Sequence, residues 1–186
     1  MKRLIFTALL AGSTCAIAAG SHESALRDLA EKEIKGLVSD ATIVAAIKAQ
    51  NEAHASLTES KILELDKQWR AETSESARPL IDSKLGTDAS KHLSGVKESK
   101  QGLFTEIFVM DNKGLNVALS DVTSDYWQGD EAKWKKTYMA GPNSLHISDV
   151  ELDESTQTYQ AQVSVPIVEN GKVIGAATFG VNVDEL

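Results

Sequence analysis

The apolar residues of this chain change their spacing once, near Leu103, and that single change separates a helical half from a strand-rich half. From Ser24 to about Trp69 there is no proline and one glycine. Over that stretch Leu26, Leu29, Ala30, Ile34, Leu37, Val38, Ala41, Val44 and Ala45 recur at three- and four-residue steps. Such steps place side chains on one face of an α-helix. Ser39-Asp40 is a capping pair for a fresh helix beginning at Ala41, and Leu57-Thr58-Glu59-Ser60 interrupts the pattern before Ile62, Leu63, Leu65 and Trp69 resume it. Arg78-Pro79 restarts the chain. Residues from Pro79 to Lys97 then read as one or two short helices that end between Ser99 and Gly102.

Beyond Leu103 the period is two. Phe104 to Met110 forms a first strand, Asp111-Asn112-Lys113-Gly114 a turn, and Leu115 to Leu119 a second strand, which together are a hairpin signal. Asp130 to Tyr138 has no breakers and predicts a short helix, and Leu145 to Leu152 predicts a third strand closed by a turn over Asp153 to Thr156. Thr158 to Val168, the Asn170-Gly171 turn and Lys172 to Val183 complete the set. With no Pro/Gly/Ser-rich linker between the halves, residues 20–102 and 103–186 are expected to form one domain. Its fold class is α+β, an antiparallel sheet of five strands with the last one central or near-central. Both faces need cover. The N-terminal helix is expected on one and the crossover from Asp121 to Pro142 on the other, with a pocket beneath the crossover.

The first 19 residues have a different character. Lys2 and Arg3 precede the apolar run Leu4 to Ala11, and small residues follow through Ala19. This is the layout of a secretory signal peptide cleaved after Ala18 or Ala19. The run is short of the ~20 apolar residues that span a bilayer. A periplasmic or secreted protein without stable membrane insertion is therefore expected. The only cysteine, Cys15, lies within this leader, so the mature chain has no thiol for a disulfide, a nucleophile or a metal. Without Lys2 and Arg3, 17 basic residues face 27 acidic ones, a net charge of about -10 that disfavours nucleic acid.

Enzymatic signatures are missing: there is no Gly-x-Ser-x-Gly elbow, no Gly-rich phosphate loop and no His-Glu-x-x-His. The histidines His22, His54, His92 and His146 are scattered, and His146 with Asp149 makes only half of a metal site. No catalytic residue, metal or cofactor is assigned, and a non-enzyme is expected.

Several segments together resemble a known family. Phe108-Val109-Met110-Asp111-Asn112-Lys113-Gly114, then Asp125-Tyr126-Trp127 with Trp134, then Pro166-Ile167-Val168 and Gly171-Lys172-Val173-Ile174-Gly175-Ala176-Ala177 resemble the single-module Cache domain, a PAS-like extracellular sensor. The resemblance implies a pocket above the sheet for a small metabolite such as an amino acid, an amine or an organic acid. It also implies service as the input module of a chemoreceptor or sensor kinase. No output region follows Leu186, so a separate membrane sensor or chemoreceptor partner is expected. In amine-binding members of the larger group the final strand often carries an aspartate. Here that strand reads Gly180-Val181-Asn182-Val183, which favours a neutral or carboxylate ligand.

Candidate binding residues follow from position and chemistry. Tyr126, Trp127, Trp134 and Tyr138 hold two of the three Trp and two of the three Tyr of the chain, and all four fall in the crossover. Aromatic walls give a ligand large contact area. The competing reading is that the rings glue crossover to sheet. Alternation in the last two strands puts Gln162 and Ser164 on one polar face with Thr178 and Asn182, where a ligand would satisfy them. The competing reading there is plain solvent exposure. Asp149, with His146 nearby, lies toward the end of the crossover. A different function class, a ligand-free structural or inhibitory adaptor, would fill the pocket with its own side chains. The near-heptad face of the N-terminal helix suits either the core or a homodimer.

Overall fold

A computed structural model of the protein describes residues 15–153 and 157–186, the first seven of them as backbone only. The leader predicted over residues 1–19 lies outside the described residues except for Cys15–Ala19, whose backbone opens the first helix. The predicted turn from Asp153 to Thr156 likewise falls outside them after Asp153.

The helical half starts with a continuous rod. It comprises α1 (Cys15–Leu29), a π-helical turn (Ala30–Ile34) and α2 (Lys35–Leu37). Asp40 then caps α3 (Ala41–Ala53), its carboxylate accepting from Thr42 N at 2.7 Å. Thr58 caps α4 (Glu59–Glu72), so the interruption predicted over Leu57–Ser60 spans the end of the α3–α4 loop and the first residues of α4. Helix α5 (Pro79–Leu85) carries its proline at the first position, and the buried Glu72 carboxylate accepts from the free amides of Leu80 and Ile81. Thr87 caps α6 (Asp88–Ser99).

The sheet is antiparallel throughout. Its strands are β1 (Phe104–Met110), β2 (Asn116–Leu119), β3 (His146–Ile147), β4 (Glu151–Asp153), β5 (Thr158–Glu169) and β6 (Lys172–Asn182). The order is β2-β1-β6-β5-β3, with β4 also on β5, so the last strand is central. Asn170 and Gly171 both take positive φ in the β5–β6 turn, as a tight two-residue hairpin requires. A single third strand from Leu145 to Leu152 is not formed; it splits into β3 and β4. At the break Gln162 N donates across the ladder to the Ser148 hydroxyl at 2.8 Å instead of to a backbone carbonyl, and that hydroxyl donates on to Asp149 O. The predicted helix from Asp130 to Tyr138 contracts to the single turn α7 (Ala132–Lys135).

One sheet face carries Ile107, Val109, Val163, Val165, Phe179 and Val181, which share a core with Leu26, Ile34, Ile43, Ile47 and Leu93 of the helical half. The other face is divided. Around Phe108, Met110 and Ala176 it is apolar and packs with Ile62 and Trp69 of α4, Ile81 of α5 and Tyr126. Toward the other end it presents Glu106, Gln160 and Gln162. Helices α4 and α5 thus share with the crossover a task the sequence reading gave to the crossover alone. They can do so because α4 has buried positions Ile62, Asp66 and Trp69 on one side.

Candidate functional site

The segment between β2 and β3 is fastened to the body at several points. Asp66 of α4 accepts the backbone amides of Tyr126 and Trp127 on one carboxylate oxygen, both at 3.0 Å. Its other oxygen accepts Arg70 Nε at 2.8 Å, and Arg70 reaches on to Asp125 at 2.6 Å. Trp69 Nε1 donates to Thr123 O at 2.8 Å, and Asn116 Nδ2 donates to Thr123 Oγ1 and Asp125 O. At the β1–β2 turn the fully buried Asp111 accepts the amides of Lys113 and Leu115, the Gln50 side chain, and shares a bond with His54. Backbone carbonyls of that turn receive two indoles, Trp127 Nε1 on Lys113 O and Trp134 Nε1 on Asp111 O.

Between this fastened segment and the polar part of the sheet lies a cavity of about 420 Å³. That volume suits a small ligand. The sheet contributes Glu106, Phe108, Gln160 and Gln162, and the crossover contributes Val122, Thr123, Gln128 and Lys133. Leu152 and Asp153 of β4 close one side. Glu106 owes its position to Gly180 across the ladder, since a Cβ there would sit 2.8 Å from Glu106 Cγ and 2.3 Å from Thr105 Oγ1. Burial pushes the Glu106 carboxyl above its usual range, against the pull of a 2.9 Å bond from Gln162 Nε2 and of Lys133. Lys133 Nζ is 2.9 Å from Glu131, 3.2 Å from Gln128 Oε1 and 5.4 Å from the centroid of the Phe108 ring.

The sequence-derived residues fall in different places. Gln162 lines the cavity. Ser164 and Thr178 are fully buried and bond each other through their hydroxyls at 3.0 Å. Asn182 uses its side-chain oxygen to cap the terminal 3-10 turn through Asp184 N. Tyr126 is 1% exposed and stacks on Trp69 with ring centroids 5.2 Å apart, while Trp134 stacks on Tyr138 at 4.8 Å. Trp127 closes over the β1–β2 turn, and a Cβ on Gly129 would strike its indole nitrogen at 2.4 Å. Asp149 is exposed in the β3–β4 loop. His146, half-buried opposite Ser164, is held below the usual imidazole range by burial and then by Lys136 and Lys133.

Glu106, Gln160, Gln128 and Lys133 were not singled out in the sequence. Glu106 is the one charged residue in the run from Phe104 to Met110, a signal that was present. A register shift between Phe104 and Glu106 hides which face it takes. Among the described residues no group of three or more His, Cys, Asp or Glu can hold a metal, and no helix is long and apolar enough to cross a membrane.

No protein-family model and no curated protein matches the sequence. Solved structures do. A chain described as the extracellular domain of the histidine kinase vpHK1S-Z8 aligns with TM-score 0.51 at 11% identity over 91% of this chain and 55% of its own. The V. cholerae histidine kinase DctB sensor domain aligns with TM-score 0.39 at 15% identity over 91% and 58%. The sensory domain of the Campylobacter jejuni chemoreceptor Tlp3 gives 0.42 at 13% identity over 90% and 64%. The chain spans less than two thirds of each of these structures. The match at TM-score 0.51 shares the α+β architecture of this chain, the PAS-like arrangement of an antiparallel sheet flanked by helices.

Proposed function

We propose that this chain is a small-molecule-binding sensor domain of Cache type that works outside the cytoplasm, binds a metabolite under the crossover and signals through a separate membrane partner. The observation that carries this reading is the polar cavity itself. The two apolar clusters take up the buried aliphatic and aromatic side chains, whereas the space above Glu106 and Gln162 is lined mainly by polar side chains of the sheet and the crossover. An adaptor without a ligand would be expected to fill that space. Under this reading Gln162 contacts the ligand directly. Tyr126, Trp127, Trp134 and Tyr138 act by holding the crossover in place over it, and Ser164 and Thr178 support the floor.

The test is a thermal-shift screen of amino acids, amines and organic acids, with every hit repeated on Gln162→Ala and Asn182→Ala. A ligand that binds only the folded state stabilises it by RT ln(1 + [L]/Kd), so the midpoint rises with ligand concentration. Gln162→Ala should abolish the ligand-induced shift while scarcely moving the unliganded midpoint. Asn182→Ala should lower that midpoint slightly through loss of its cap. A hit whose shift survives Gln162→Ala would move the site elsewhere.

A further inference from the structure

The charges around the cavity are unequally satisfied. Its cation, Lys133, already has a carboxylate at 2.9 Å in Glu131 and an amide oxygen at 3.2 Å in Gln128, with its ammonium over the Phe108 ring. Glu106, by contrast, accepts from the neutral Gln162 amide at 2.9 Å, and among the described residues no cation lies within ion-pairing distance of it. Asp153 adds a second carboxylate to the wall and acts against ionisation of Glu106, as does Asp121 beyond it. A carboxylate withdrawn from water with one neutral donor is undercompensated, and an incoming cation is the group that corrects this. An incoming carboxylate would meet Glu106 and Asp153 and find Lys133 engaged.

We infer that the ligand of this cavity is a small amine whose charged nitrogen docks on Glu106, with the Gln162 side-chain oxygen as a second acceptor. This rests on the sensor reading above and narrows it. It also reverses the expectation drawn from Asn182. The last strand lacks an acid there, but β1 supplies one on the same face of the sheet through Glu106, opposite Gly180. Glycine at position 180 gives the long Glu106 side chain the room to lie across β6.

The experiment is titration calorimetry with ethanolamine, putrescine and choline set against glycolate, succinate and propionate, on wild type and on Glu106→Gln. The substitution keeps the shape and the acceptor for Gln162 Nε2 and removes only the charge. At least one amine should bind wild type, none of the carboxylates should, and Glu106→Gln should weaken the amine by about tenfold or more, as expected for loss of a charge-assisted hydrogen bond. Carboxylate binding without amine binding, or amine binding unchanged in Glu106→Gln, overturns the inference and leaves the sensor reading standing. If no compound of either charge binds at millimolar concentration and the wider thermal-shift screen is also silent, both fall together. A hit in the wider screen that is neutral or anionic sinks only the amine.

Discussion

Replacing Asp66 by alanine cuts the strongest single tie between the helical half and the segment that roofs the cavity. The carboxylate is 11% exposed and accepts the Tyr126 and Trp127 amides at 3.0 Å each. Hydrogen bonds to a charged acceptor contribute about 1.5–3 kcal/mol apiece. The link to Arg70 adds little, because that guanidinium is 59% exposed and keeps Asp125 at 2.6 Å. Water will reach the partly buried Trp127 amide more easily than the one on the buried Tyr126. A loss of about 3 kcal/mol is therefore expected for Asp66→Ala, against about 1 kcal/mol for Asp66→Asn, which retains an acceptor oxygen for both amides. Urea unfolding followed by tryptophan fluorescence measures both, since Trp69 is fully buried against Tyr126. If the alanine variant costs less than about 1 kcal/mol, or no more than the asparagine variant, the two amide bonds do not hold the crossover and the reasoning fails.

Two further outcomes follow from the same geometry. Burial raises the Glu106 pKa, so the folded state takes up the proton more readily than the unfolded state, and the ionised carboxylate opposes folding at pH above its folded pKa. Glu106→Gln should accordingly raise the unliganded melting midpoint at neutral pH, with a gain that shrinks as pH falls through that raised pKa; a lowered midpoint in thermal melts at neutral pH would contradict this. Gly114 sits at φ +82 with an added Cβ only 2.4 Å from Gly129 Cα, so Gly114→Ala should cost about 2–3 kcal/mol in urea melts and loosen the crossover, whereas a neutral result would show that the β1–β2 turn yields freely.

Local chemistry made much of the fold legible before any coordinates. Asp40 caps a helix because its oxygen reaches a free amide two residues on, and Asn170-Gly171 turns the chain because both residues accept positive φ. The switch from a helical to a two-residue period depends on nothing beyond the order of apolar residues, and it placed β1, β5 and β6 within a residue or two. The polar part of one sheet face, with Gln162, Ser164 and Thr178 on it, followed from the same alternation, although Phe108, Met110 and Ala176 make the rest of that face apolar.

Other features are decided between segments far apart in the chain. Whether Tyr126 and Trp134 line a cavity or close a core depends on what meets them. Trp69, 57 positions before Tyr126, and Asp111, 23 before Trp134, supply those partners. Likewise the third strand breaks because Ser148 finds Gln162 across the ladder. Glu106 belongs to the cavity only because a register shift in β1 and the bare Cα of Gly180 let it lie over the central strand. Side-chain type and period are properties of a short stretch and survive without a partner. Burial, pKa and access to a ligand belong to a neighbourhood, and here the neighbourhood of the site is assembled from α4, β1, β4, β5, β6 and the crossover, which no short stretch of sequence contains.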